Sequence, residues 1–282
     1  MQSAPYLIIL AALLWSADGL IRRYLYSLPP ASVVFLEHLL GLLVLLPLFL
    51  KEAKNLRNLS AKTWGSIIAI AALAGAGGTL AYTAALGQVN YISFSVVVLL
   101  QQLQPIFAIG LAALLLKEKI SKNFIGLAVL ALIAAYFVSF PDLRVNFAAG
   151  RANIIAALLA IGAAFAWGSG TALGRYALGK LNFISLSGLR FAFTVFFTFL
   201  ILAGMGDISA LGTLAANQWW AIIAIVFSTG LVALLIYYKG LSQVPARVST
   251  LLELTWPVSA IIIDLVLFKN SLKAAISFSN VL

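Results

Sequence analysis

Residues 101–115 read QQLQPIFAIGLAALL and residues 253–267 read ELTWPVSAIIIDLVL. Each carries a proline, Pro105 or Pro257, inside a run apolar enough to cross a membrane, with polar side chains just before it. Proline removes a backbone donor and crowds the carbonyl one turn back, so a buried helix that keeps one needs a reason. The two prolines stand 152 residues apart, and their surroundings keep that spacing: Leu99, Ala108, Ile109, Leu115 and Lys117 meet Leu251, Ala260, Ile261, Leu267 and Lys269. Two such breaks at one spacing imply a chain built twice.

The repeat extends outward from these segments. A shift of 152 also lays Trp15, Arg23 and Tyr24 on Trp167, Arg175 and Tyr176, while between them a shift of 155 lays Trp64, Gly75, Tyr82 and Gln88 on Trp219, Gly230, Tyr237 and Gln243. Leu and Ala pairs are cheap in apolar sequence; paired Trp, Gly, Gln and Pro in one order are not. The expected units are therefore 1–145 and 150–282.

Of the 282 residues 63% are hydrophobic and 9% charged, far from the roughly 25% charged residues of soluble domains. The apolar residues fall in blocks of about 20, the length that spans a hydrocarbon core as a helix. The fold class is thus all-α and polytopic in a membrane, with spans expected at about 5–26, 31–50, 64–86, 91–116, 123–140, 153–178, 183–204, 219–241 and 246–268. The first block reads as a retained span rather than a cleaved leader, lacking a basic start and a small-residue cleavage pattern. Residues 270–282 are too few for another crossing, so a tenth helix is expected to be missing.

Five spans per copy is an odd number, which makes the second copy enter from the opposite face, an inverted repeat. Loop charge sets the orientation. With the N-terminus cytoplasmic, eleven Lys and Arg fall in inner connections and six in outer ones, and Arg190 lies within a span. The expected location is the cytoplasmic (inner) membrane, multi-pass, N-terminus inside. The net charge of +10 sits in these short clusters, not along one face, so nucleic acid is not an expected partner.

Ionisable and amide groups inside a span usually face a cavity or a partner. The candidates for substrate binding are Trp15, His38, Tyr82, Gln101, Gln104, Trp167, Arg190, Tyr237, Glu253 and Trp256. Glu253, Trp256, Pro257 and Asp264 share one helical face at about 100° per residue, and Gln101, Gln104 and Pro105 repeat its start. A proline kink beside such a face suits a helix that lines a cavity. For the glutamines, the competing reading is bonding between helices; for the tryptophans, an interfacial belt. Glu37 and His38, being adjacent, are not expected to point squarely into one cavity together. Asp18 is expected to pair with Arg22 one turn on, near the outer surface. Glycines in AGAGGT (74–79) allow close helix approach or bending in the third span.

Five spans per half, a proline-bearing fourth span ending in LLLKEKIS (114–121) with Glu118 in the turn, and Gly126 in the fifth span resemble the drug/metabolite transporter superfamily, EamA type. The resemblance covers nearly the whole chain. It implies a ten-helix bundle with a central cavity and transport of small metabolites, amino acids or xenobiotics by alternating access, with export as the direction. Asn270 stands where the second copy would have its turn glutamate. Glu253, then His38 and Glu37, are the candidates for proton coupling. An enzyme is disfavoured, with one histidine, no cysteine and no paired-acid motif, and no cofactor or metal is expected. Small-molecule substrate and membrane lipids are the expected partners. A lipid-linked-sugar flippase or a subunit of a larger complex is the alternative.

Overall fold

The computed structural model describes residues 3–52, 56, 58–87, 97–98, 100–120, 122–123, 125–126, 129–130, 133 and 150–268; side chains are described throughout these except at 150–153, 261, 264, 265, 267 and 268. The described residues contain helices and no strand. Six helical stretches are long and apolar enough to cross a membrane: Ala4–Leu25, Pro30–Glu52, Ala61–Gly87, Ile154–Leu178, Phe183–Met205 and Ala216–Leu241. They correspond to expected spans 1, 2, 3, 6, 7 and 8. Span 4 is represented by the shorter Gln101–Leu116, and span 9 by two pieces. Most of expected span 5, Asn270 and the expected loss of a tenth helix lie outside the described residues.

Several spans are broken near their middles. Span 1 is α1 (Ala4–Trp15) and α2 (Asp18–Arg22), and span 2 is α3 (Pro30–Glu52). Span 3 is α4 (Ala61–Ile70), a π-helical segment (Ala71–Gly77) and α5 (Gly78–Gly87). Span 4 enters through a 3₁₀ turn (Gln101–Leu103) into α6 (Gln104–Leu116). Spans 6 and 7 are the unbroken α7 (Gly150–Leu178) and α8 (Phe183–Met205). Span 8 is α9 (Ala216–Phe227) and α10 (Leu231–Leu241), and span 9 is α11 (Ala246–Glu253) and α12 (Thr255–Phe268).

Two of the three breaks in the first copy recur in the second; the one at 16–17 falls on the continuous α7. The π segment of span 3 matches the interruption at 228–230 in span 8, Gly75 facing Gly230 in the alignment. The 3₁₀ turn before α6 matches the interruption at Leu254. This corrects the picture of a proline kink within a continuous helix. Each helix stops ahead of its proline and restarts, so that Pro105 is the second residue of α6 and Pro257 the third of α12. A proline in the first turn removes a donor that would have had no partner there.

Packing obeys the repeat. Span 2 lies along span 7, span 1 along span 8, span 3 along span 6, span 4 along span 6, span 1 along span 9, and span 4 along span 9. Exchanging spans 1, 2, 3, 4 with 6, 7, 8, 9 maps this set of contacts onto itself. The two copies therefore clasp each other, and the breaks gather at their shared interface. Close approach there depends on glycine: a Cβ on Gly75 would lie 1.9 Å from Thr194 Oγ1, and one on Gly78 would lie 2.8 Å from Trp167 Nε1. The outward faces carry Leu10, Leu13, Leu43, Leu48, Phe196 and Leu200, all exposed, which suits contact with lipid.

Candidate functional site

A cavity of about 140 Å³ lies where the broken spans meet. Its walls are aromatic. Trp15 packs on Tyr237 with ring centroids 5.0 Å apart and planes at 56°; Trp167 packs on Tyr82 at 5.2 Å and 60°. Trp15 aligns with Trp167 and Tyr82 with Tyr237, so these are one contact made twice, each joining a tryptophan of one copy to a tyrosine of the other. Trp256 adds an edge against Tyr82 at 6.5 Å.

One end of the cavity is built on the first copy. Arg22 Nε contacts Asp18, Nη2 lies 2.8 Å from Glu37 Oε2, and Nη1 donates to Thr83 Oγ1 at 3.2 Å. Thr229 of span 8 donates to Asp18 Oδ1 at 2.6 Å. Arg22, Asp18 and Glu37 are all buried. Each charge has an opposite charge in reach, as a buried ion requires. Glu37 Oε2 meets Arg22 by distance but outside hydrogen-bond geometry. We treat that contact as an ion pair. His38 Nδ1 lies 2.8 Å from the Val34 carbonyl and 3.3 Å from Glu37 Oε1. A carbonyl only accepts, so the proton sits on Nδ1 and leaves Nε2 as the other ring atom.

The other end is built on the second copy and is satisfied by neutral groups. Glu253 accepts from Gln104 Nε2 at 2.6 Å, Tyr237 OH at 2.7 Å and Ser249 Oγ at 3.0 Å. Thr171 Oγ1 lies 2.9 Å from Tyr237 OH and extends the network into span 6. The residues on this carboxylate come from both copies, because α6 and α11 both begin or end at their breaks beside it.

Between the two ends lies the π segment. A π turn bonds five residues on rather than four, and side-chain donors reach its carbonyls as well. Ala74 O accepts from Trp167 Nε1 at 3.1 Å and Arg190 Nη2 at 3.3 Å, and Ala71 O accepts from Thr194 at 3.3 Å. Arg190 Nη1 donates to Tyr238 OH at 2.9 Å, and its Nε has no partner. Neither Arg190 nor Glu253 forms an ion pair among the described residues. The site thus presents a guanidinium and a carboxyl group held in place by neutral hydrogen-bond partners.

Of the residues anticipated from sequence, Trp15, Glu37, His38, Tyr82, Gln104, Trp167, Arg190, Tyr237, Glu253 and Trp256 line the cavity. Gln101 does not. It is buried in the 3₁₀ turn with both amide atoms unpartnered among the described residues. The shared face inferred for Gln101 and Gln104 assumed one regular helix, and the helix restarts between them. The same break separates Glu253 from Trp256, though both reach the cavity; the Asp264 side chain lies outside the described residues. Glu37 and His38 both line it, against expectation, because the cavity wraps far enough around α3 to take neighbours 100° apart.

Asp18 and Arg22 do pair, as expected, and both are buried within the bundle. Spans 2, 3 and 8 cover them. Arg22 and Arg23 both lie within the first apolar helical stretch, Ala4–Leu25. Thr79, Thr171, Thr229 and Tyr238 were not anticipated at all. For Asp18 and Arg22 a signal existed: two opposite charges four apart inside an apolar block, with a third in the next span. For threonines in apolar helices there was none.

Comparison with known proteins agrees with this architecture. The EamA-like transporter family matches residues 2–140 and 154–282. The riboflavin transporter ImpX of Fusobacterium nucleatum subsp. nucleatum is 36% identical over 271 residues, covering 94% of this chain and 90% of its own. A solved crystal structure superposes with a TM-score of 0.70 at 18% identity, over 94% of this chain and 88% of its own, a likeness of fold. The chain, a multi-pass membrane protein, belongs to the EamA-like transporter family and is a transporter of a small molecule.

Proposed function

We propose that the chain carries a planar aromatic molecule of the flavin kind, uncharged and rich in hydrogen-bonding groups, by alternating access of the cavity to the two sides of the membrane. The observation that carries this reading is the twofold-repeated Trp–Tyr wall with Glu253 and Arg190 outside any ion pair among the described residues. Flat rings between aromatic side chains gain offset stacking. Polar edges of the same molecule have a donor-seeking carboxylate and an acceptor-seeking guanidinium to meet. Riboflavin, named for the relative, has a flat tricyclic ring, an imide edge with two carbonyls around one N–H, and a hydroxylated tail. Of the expected amino-acid-like or amphipathic and xenobiotic substrates, that chemistry falls with the second, since a zwitterionic amino acid leaves most of the aromatic wall unused.

In this reading Trp15, Tyr82, Trp167, Tyr237 and Trp256 hold the ring, and Gln104, Arg190 and Glu253 its polar edge. The protein resides in the cytoplasmic membrane with the N-terminus inside, and exports its substrate. Glu253 is the proton-coupling group, with His38 and Glu37 next in order, because a carboxylate bound only by neutral donors gains or loses a proton without breaking an ion pair.

The test is riboflavin titration of the detergent-purified protein, read by quenching of tryptophan fluorescence and by thermal stabilisation, since a ligand that binds the folded state raises its melting temperature. Saturable quenching weakened in Trp15→Leu supports the reading. A flat response to riboflavin, with stabilisation by amino acids instead, removes it. In vesicles of defined orientation, Glu253→Gln is expected to abolish the pH dependence of flux, while binding is weakened but still measurable through the aromatic wall. Pumping toward the cytoplasmic face rather than away from it would overturn export.

A further inference from the structure

Glu118 ends the fourth span with no role in the cavity. Lys117 adopts a left-handed backbone (φ 54°) that turns the chain back, so that the Glu118 N–H approaches the Ala112 carbonyl at 3.4 Å. The side chain then crosses to the other copy. Glu118 Oε1 accepts from the Ala246 N–H at 2.9 Å and Oε2 from the Arg247 N–H at 3.2 Å, the first two amides of α11. Arg247 answers by donating its Nη1 to the Lys119 carbonyl. Free amides at a helix start favour a carboxylate both as hydrogen-bond acceptor and as countercharge to the helix dipole.

The far end of α11 is Glu253, and the residue that starts α6, Gln104, donates to it. Helices α6 and α11, one from each copy, are thus tied at both ends: at the cavity by Gln104 and Glu253, and at the other, basic end, which carries Lys117, Lys119 and Arg247, by Glu118 and the α11 amides. The fully buried part of the contact is small, Ala112 and Ala246 with Ala172 of α7, and Leu111 and Leu116 pack against it. Small residues leave little to interlock, so the two ties add to the register that the leucines give. For alternating access, that seam must open whenever the cavity faces this end.

We propose that Glu118 is a positioning residue and the latch of this gate: its carboxylate keeps the α6–α11 seam closed at the basic end and holds α11, and with it Glu253, in place at the cavity. This goes beyond the substrate reading and rests only on the transporter family, so failure of riboflavin to bind leaves it standing.

The chain contains no cysteine, which makes single-cysteine labelling direct. A112C reports on the seam, and A85C, buried in α5 toward the opposite end, reports on the rest of the bundle. Each is combined with E118Q and with E118A and treated in detergent with a water-soluble maleimide. E118Q keeps the shape but replaces one acceptor by a donor facing an amide N–H, so it holds one bond of the two. A carboxylate-to-amide bond of this kind accounts for roughly tenfold in an opening equilibrium. Labelling at A112C is expected to rise by about that factor in E118Q, and further in E118A, with A85C labelling flat or falling. In vesicles the same variants should change the maximal rate more than the half-saturating concentration. Equal acceleration at both thiols, meaning general loosening, overturns the proposal, as does no change at A112C. Should E118A not yield folded protein, E118Q alone decides between these outcomes.

Discussion

The wall of the cavity repeats from one copy to the other, and its ends do not. Trp15 on Tyr237 and Trp167 on Tyr82 agree to 0.2 Å in centroid separation and 4° in plane angle. In contrast, the positions that match Asp18, Arg22 and Glu37 in the second copy are Gly170, Gly174 and Leu189, and the position that matches Glu253 in the first is Gln101. Rocking between two states of similar energy is easiest when the two halves are alike where they grip the substrate. A bias in direction or a coupled ion requires them to differ somewhere. Here the likeness sits in the rings and the difference in the charges.

The largest effect expected from this difference is at Arg22. Arg22→Leu leaves the Asp18 and Glu37 carboxyl groups buried without their common partner, and breaking a buried ion pair from one side costs about 3–5 kcal/mol. Gly174 is its counterpart, in a continuous helix, where an added Cβ meets nothing closer than 3.4 Å. Gly174→Ala should be neutral or slightly stabilising, since alanine favours a helix over glycine by up to about 1 kcal/mol. Melting temperatures of the two purified variants make the comparison. Equal losses would mean that the charged end is structurally no more demanding than its uncharged counterpart.

The second comparison tests how alike the walls are. Trp15→Leu and Trp167→Leu each remove one ring pair, worth about 0.5–1.5 kcal/mol beyond buried area. Trp167 loses in addition its bond to Ala74 O, about 1 kcal/mol. Both should weaken substrate binding, by factors within about tenfold of each other, and Trp167→Leu should show the lower melting temperature. A variant that binds as tightly as the parent would break the equivalence and place the substrate against one copy only.

How far the molecule was legible in its residues follows from the same contrast. Repeat, spans and aromatic walls were readable because tryptophan, tyrosine and proline are rare enough to align and each has one dominant physical use. The interior position of Arg22 was not, since span ends carry no sharp marker and a cation near one reads as a loop. The breaks at 71–77 and 228–230 were hinted at by Gly75 and Gly230, but glycine fits close packing and unwinding alike, and only tertiary contacts decide between them. Glu118 looked like a turn residue because its partners, two backbone amides of the other copy, have no sequence signature.

Gln101 gives the smallest expected effect and the sharpest question about the ends. Both its amide atoms are buried without a partner among the described residues, whereas Glu253, its counterpart, has three donors. An unsatisfied buried polar group is costly, so Gln101→Met, of similar length and without polar atoms, should stabilise the protein by about 1 kcal/mol and leave substrate binding unchanged. If the inverted repeat exchanges the roles of its halves during transport, however, Gln101 finds partners when the opposite end opens. Gln101→Met would then raise the melting temperature and slow transport together, by favouring the state seen here over its mirror. Stabilisation with full transport would make the unpaired amide a plain remnant of the asymmetry, and a loss of stability would show that it is bonded in the resting protein.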